Sequence, residues 1–279
     1  MNQATLVPVS GTHLFVADSG ETGLPPVLCL HSLFLDGRMF DGFVAAAAGR
    51  FRVIRPDFRG QGRSEPSRDS IISIETCASD IEELLKRLGI ASAHVLVSSM
   101  GGDVGLRLAA QRPDLVRSLV VVGSSARAEP AEQLGRFRAW VDEVEKTGFT
   151  GATLEMTMSI MFGETTRASV AQREMLGLWK ERIAALPTTL RPAMSGVIER
   201  GSVVDMLPSI TAPALVISGD ECIARPPDWA RELAEGLPNS EFLLLEKIGH
   251  SPLLEIPEVV LPRIIAFFCD VERKRTAAR

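Results

Sequence analysis

The chain has 279 residues, 46% hydrophobic and 23% charged, and a formal net charge of −5, the balance of an ordinary globular protein long enough for one large α/β core with an inserted subdomain. Acids and bases are interspersed, which excludes the electrostatic footprint of a nucleic-acid or anionic-membrane binder, so neither partner is expected. No apolar run approaches the roughly 18 residues that cross a bilayer, and Met1-Asn2-Gln3-Ala4-Thr5 lacks the basic-then-apolar pattern of a secretory leader, so a cytoplasmic location is expected.

Residues 6–17 read as a hairpin with Ser10-Gly11 at its turn. Gly23-Leu24-Pro25-Pro26 breaks regular structure, and Val27-Leu28-Cys29-Leu30 is a short apolar run typical of a central strand. A loop from His31 to Phe40 then leads to a short helix, and Phe51-Arg52-Val53-Ile54 is a second such strand. Ile81, Leu84, Leu85 and Leu88 recur at helical spacing within 75–88, and Gly89 ends that helix. Val95 to Val97 read as a buried strand, passing almost without a loop into a helix carrying Val104, Leu106, Leu108 and Ala109. Leu119 to Val122 is the next strand. Strand and helix alternating in this way predict an α/β fold, a mostly parallel sheet with helices on both faces.

The pattern changes between Ala126 and Met206, where roughly 80 residues carry no strand signal. The stretches 134–144, 153–161, 167–185 and 192–200 read as helices, and six of the nine methionines lie in this region. A helical insertion after a strand of an open sheet predicts a cap over the carboxyl edge, with deformable methionines suited to an apolar pocket. The expected division is therefore a core of residues 1–125 and 207–279 with a cap at 126–206. Strand signals resume at Ala214 to Ile217 and Glu241 to Leu245, separated by a helix over 228–235. A last helix covers 259–268, and the polar tail from Val271 to Arg279 is expected to fray.

Cys29, Cys77, Cys222 and Cys269 are widely spaced and match neither a zinc pattern nor a CxxC pair, so reduced thiols and no metal or other cofactor are expected. Tyrosine is absent, and a base near neutral pH must come from His13, His31, His94 or His250.

The abrupt strand-to-helix passage Val97-Ser98-Ser99-Met100-Gly101 has the form of a nucleophile elbow, with its central residue projecting over the sheet edge at a helix N-terminus. The same residues also suit an ordinary N-capped turn. Centring the elbow on Ser98 would put Leu96 and Met100 where small residues are wanted, so Ser99 is the candidate nucleophile. A serine hydroxyl needs a nearby base. His250 follows a strand in a Gly-His-Ser-Pro loop and is the candidate, whereas His13 lies in the first hairpin and His94 at the far end of the elbow strand.

Four segments in order carry a resemblance. These are His31-Ser32-Leu33, the Pro56-Asp57-Phe58-Arg59-Gly60-Gln61-Gly62-Arg63-Ser64 turn, Ser99-Met100-Gly101-Gly102, and Gly249-His250 with Pro257-Glu258 downstream. Together the chain resembles capped α/β-hydrolase-fold proteins of the esterase and lactonase type, its cap segment being most similar to enol-lactonase-like members. The resemblance implies a small acyl substrate cleaved by Ser99 and His250, with the backbone N–H groups of Leu33 and Met100 as oxyanion hole. It implies a structural His31 and a structural 56–64 turn. Two positions depart from it: Val97 stands where a glycine is usual, and Ser32 likewise.

The third departure concerns the acid that usually orients the histidine. Its position, three residues after Gly219, falls on Cys222, and Gly123-Ser124-Ser125 offers no acid after the earlier strand. Cys222 orients His250 as thiol or thiolate, or Asp220 or Glu221 swings in, or the third member is missing. Beside the serine hydrolase stand two other readings: C–C cleavage, lyase or cofactor-free oxygenase chemistry with the same histidine, and a weakly active ligand-binding descendant. Oligomeric state stays open, a homodimer included.

Overall fold

In the computed structural model, which describes residues 3–277, eight strands form one sheet. They are β1 (Gln3–Val9), β2 (Thr12–Asp18), β3 (Pro26–Leu30), β4 (Arg52–Pro56), β5 (Ala93–Ser98), β6 (Val116–Val122), β7 (Ala214–Gly219) and β8 (Ser240–Leu245). Their spatial order is β1-β2-β4-β3-β5-β6-β7-β8. The amino-terminal hairpin turns at Ser10-Gly11 and its strands pair antiparallel; β2 also meets β4 antiparallel, and every later pairing is parallel. This is the mostly parallel α/β sheet that the alternating pattern predicts.

The two faces of β5 show how the layers form, since alternate side chains point to opposite faces of a strand. Val97 meets α3 (Met100–Gln111) at Gly105, while His94 stacks on Phe268 of α11 (Pro257–Ala277) with ring centroids 4.8 Å apart. On the α3 face, α2 (Ile74–Arg87) packs beside α3; on the α11 face, α1 (Asp41–Ala47) packs against α11 through Phe43 and Phe268. The β5 strand is buried on both faces, which explains its continuous apolar run.

Between β6 and β7 lie five helices: α4 (Ala131–Thr147), α5 (Gly151–Met161), α6 (Glu164–Ala168), α7 (Arg173–Ala184) and α8 (Arg191–Ile198). Sequence periodicity predicts one helix over 167–185, but the backbone breaks at Ser169 between α6 and α7. The cause is tertiary. Thr166 Oγ1 donates to Glu255 Oε2 (2.6 Å) and the Gln172 amide donates to the Glu255 carbonyl (2.9 Å), fixing both sides of the break on the core. After β7 come α9 (Pro227–Gly236), β8, α10 (Pro252–Glu255) and α11. The tail expected to fray from Val271 is instead helical to Ala277, because Val271 is buried and Glu272 lies 3.1 Å from His94 and 3.3 Å from Arg117. Ala278 and Arg279 of that tail, like Met1 and Asn2, lie outside the described residues. No described helix is long and apolar enough to cross a membrane.

Candidate active site

The carboxyl ends of β3, β5, β7 and β8 deliver the candidate residues to one edge of the sheet, where ligands bind in open α/β sheets. Ser99 follows β5 directly with φ 51° and ψ −114°, a left-handed conformation that is strained for a residue with a side chain. Its N–H donates to Val122 O (3.0 Å), and its carbonyl accepts from Gly102 N–H, Asp103 N–H and Ser124 Oγ, so the surroundings over-determine the strain. Close approach makes the sharp turn possible: a Cβ on Gly101 would stand 2.1 Å from Leu30 O.

Val97, in place of the usual glycine, is accommodated from the other side. A Cβ on Gly105 would meet Val97 Cγ1 at 2.8 Å, so this mid-helix glycine opens the space that the valine fills. Sequence reading misses that compensation, although a glycine inside a helix is itself a signal of close packing.

After β3, the His31 ring donates from Nδ1 to Ser32 O (2.8 Å) and accepts at Nε2 from Phe58 N–H (2.9 Å). Both nitrogens are thereby occupied in tying the loop to the 56–64 turn. In that turn Asp57 accepts from Gly37 N–H and Arg63 N–H, which agrees with the structural reading of both segments. Among the described residues neither Leu33 N–H nor Met100 N–H makes a hydrogen bond, the condition required of oxyanion donors. Ser32 Oγ is buried and also without a partner.

His250 is buried in the loop after β8, and its Nδ1 lies 3.1 Å from Cys222 Sγ in the turn after β7. The two alternatives to Cys222 are engaged elsewhere. Asp220 accepts from Lys247 N–H (2.6 Å), and Glu221 accepts from Thr165 N–H (2.7 Å). Burial pushes the Cys222 thiol up to about 12, with the Ala224 N–H opposing, and pushes His250 down to about 4. Burial thus favours the neutral form of each group, a thiol beside an uncharged imidazole. A thiol both donates and accepts weakly, so the contact does not select the tautomer with its proton on Nδ1 as a carboxylate would. Of the other histidines, His13 pairs with Glu65 at the surface, and His94 Nδ1 meets Ser118 Oγ (2.7 Å) on the buried α11 face. Neither reaches the site.

Glu255, absent from the sequence reading, is a buried anchor. Its carboxylate accepts from Gly163 N–H, Gly249 N–H, Ser251 N–H and the Thr166 hydroxyl, at 2.6–3.0 Å. It thus joins the helical insertion to the loop that carries His250.

Ser99 and His250 make no hydrogen bond with each other among the described residues, which is common in unliganded sites. They line the same cavity, of about 360 Å³. Ser32, Leu33 and Phe34 complete its floor, and Phe137, Trp140, Met156, Met161 and Met194 of the insertion form its apolar walls.

Residues 25–257 match the alpha/beta hydrolase fold family. The chain belongs to the α/β-hydrolase-fold family. Solved members to which it is similar include an esterase from Thermogutta terrifontis with malate bound, 27% identical with a TM-score of 0.85 over 97% of this chain and 99% of that one. Another is the enol-lactonase from Burkholderia xenovorans LB400, 25% identical with a TM-score of 0.87 over 95% of this chain and 100% of that one. The sn-1-specific diacylglycerol lipase ABHD11 of Mus musculus is 36% identical over 129 residues, 45% of this chain and 41% of that protein. Esterase and lactonase members of the α/β-hydrolase fold are thus its structural neighbours, as the four motifs imply.

Proposed function

We propose that the protein is a cytoplasmic serine hydrolase that cleaves a small carboxylic ester or lactone. In this reading Ser99 Oγ attacks the carbonyl carbon while its proton passes to His250 Nε2, and the oxyanion accepts from the N–H groups of Leu33 and Met100. Collapse of the tetrahedral intermediate expels the alcohol, which takes the proton from Nε2. Water then attacks the acyl-enzyme with His250 again as base, releasing the acid and restoring Ser99. The insertion at 126–206 acts as a cap whose methionines shape the acyl pocket.

The single observation that carries the proposal is the strained Ser99 and the buried His250 facing one cavity, with Cys222 Sγ on the imidazole's other nitrogen. A fluorophosphonate tests it. Ser99 is expected to be labelled stoichiometrically with loss of p-nitrophenyl acetate turnover, and an unlabelled Ser99 in folded protein refutes the reading.

A second reading on the same fold has His250 alone removing a proton from a carbon acid in cofactor-free chemistry. Turnover retained in Ser99→Ala and lost in His250→Ala would establish it instead.

A further inference from the structure

Three non-glycine residues among those described have a positive φ: Ser99 (51°), Lys247 (60°) and Phe34 (69°). The elbow accounts for Ser99, and Lys247 lies in an exposed turn where its N–H donates to Asp220. Phe34 is different. It is buried, it lines the cavity beside Leu33, and it is a bulky residue in a region where bulky side chains are outliers. Backbone strain of this kind persists only where the surroundings over-determine it, and it collects at functional sites.

The strain sits in a turn. Leu35 N–H donates to Ser32 O (3.2 Å), which closes a β-turn with Leu33 and Phe34 as its central residues. Of these two only Phe34 has a positive φ, the type II pattern, in which glycine or asparagine normally takes that position. Both ends of the turn are pinned: His31 is bonded through both ring nitrogens, and Gly37 N–H donates to Asp57 (2.8 Å). With its ends fixed, φ at Phe34 relaxes by turning over the Leu33–Phe34 peptide, which is the difference between a type II and a type I turn. That rotation reverses the peptide dipole adjoining Leu33 N–H, the group assigned to the oxyanion.

What resists the rotation comes from the helical insertion. The Phe34 ring meets Trp140 of α4 edge-on, with centroids 5.6 Å apart and planes at 74°. It meets Phe149, between α4 and α5, in the same way at 5.6 Å and 70°. Edge-to-face pairs of this kind are favourable beyond the area they bury. Turning the peptide over re-aims the Cα–Cβ bond of Phe34 and so disturbs both contacts. Resting on the hydrolase reading above, we propose that Phe34 is a positioning residue through which the insertion sets the oxyanion hole. Trp140 and Phe149 hold its ring, the ring holds the left-handed turn, and the turn holds Leu33 N–H toward the developing charge.

Steady-state hydrolysis of p-nitrophenyl acetate by variants at position 34 tests this. Phe34→Ala and Phe34→Gly both delete the ring, but alanine is disfavoured in the left-handed region by about 5- to 30-fold in population and glycine is not. Phe34→Ala is therefore expected to lower kcat by about fivefold or more, with KM within about threefold of wild type. Phe34→Gly, despite its larger deletion, is expected to keep kcat about threefold or more above Phe34→Ala. Phe149 is buried but does not line the cavity. Phe149→Leu is expected to lower kcat by about threefold in the wild type and to leave it nearly unchanged in the Phe34→Gly background, where no ring remains to be held. A glycine variant as slow as the alanine one overturns the inference, because a ring that only fills space is missed equally in both. So does an unchanged kcat in Phe34→Ala, or an equal effect of Phe149→Leu in the two backgrounds. If Phe34→Ala does not fold, the Phe149→Leu comparison decides alone. Wild-type protein that neither hydrolyses the ester nor is labelled at Ser99 by a fluorophosphonate refutes the hydrolase reading, and this inference with it.

Discussion

Replacing Cys222 by aspartate is the most informative single change to this site. Cys222 Sγ stands 3.1 Å from His250 Nδ1, so an aspartate there places a carboxylate on the imidazole with little movement of the backbone. At about 4 Å between charge centres and an effective dielectric near 20, the attraction for an imidazolium is about 4 kcal/mol. Burying the carboxylate beside His250 takes back roughly 1 kcal/mol, leaving about 3 kcal/mol for the charged ring. That corresponds to about two pKa units and roughly 100-fold in rate, since the imidazolium forms on the way to the tetrahedral intermediate. His250 is held at about 4 by burial in the wild type. The acid limb of kcat/KM, which reports the free enzyme, is therefore expected near pH 4 in the wild type and near pH 6 in Cys222→Asp. Steady-state hydrolysis of p-nitrophenyl acetate between pH 3.5 and 8 measures both quantities. A folded Cys222→Asp protein whose kcat stays within threefold of wild type, with its acid limb unmoved, refutes the assignment of Cys222 as the partner of His250.

Two further outcomes follow from packing and protonation. Gly105→Ala drives a methyl to 2.8 Å from Val97 Cγ1 and is expected to cost about 1–3 kcal/mol, as overpacking does. In the double variant with Val97→Ala, urea denaturation should recover at least about 1 kcal/mol relative to the sum of the single changes, and additivity would show that the two positions are not coupled. His250 is neutral in the fold and titrates at about 4, below its unfolded value of 6.5. The unfolded chain therefore binds the extra proton between those values, so this group's contribution is complete above pH 6.5 and lost as pH falls toward 4. Between pH 7.5 and 4.5, wild type is expected to lose about 2–3 kcal/mol more than His250→Gln, and equal losses in the two proteins would contradict a buried neutral ring.

Much of the fold, and the placement of the candidate site residues, was legible because the signals are local. Apolar runs such as Val27 to Leu30 of β3 and Leu119 to Val122 of β6 are strands buried on both faces, and the elbow, the His31 loop and the His250 loop each carry their chemistry within a few consecutive residues. Cys222 was legible by position alone, counted from the glycine that ends β7. What stayed hidden depends on partners distant in sequence. The break at Ser169 is imposed by Glu255, Val97 is tolerated because of Gly105, and Arg225 reaches α3 through Asp103, 122 residues away. Likewise, it is burial that favours the neutral forms of Cys222 and His250, and residue types alone do not reveal burial.

The four donors gathered by Glu255 have a mechanical consequence. Two come from the helical insertion, at Gly163 and Thr166, and two from the loop around His250, at Gly249 and Ser251. Roof and base are riveted through one side chain, and pulling them apart strands a buried carboxylate or its donors without partners. Lifting this part of the insertion would have to break these bonds or carry the His250 loop with it. Under the proposed mechanism, lifting this part of the insertion would therefore displace the proposed base, so an opened form is expected to be inactive.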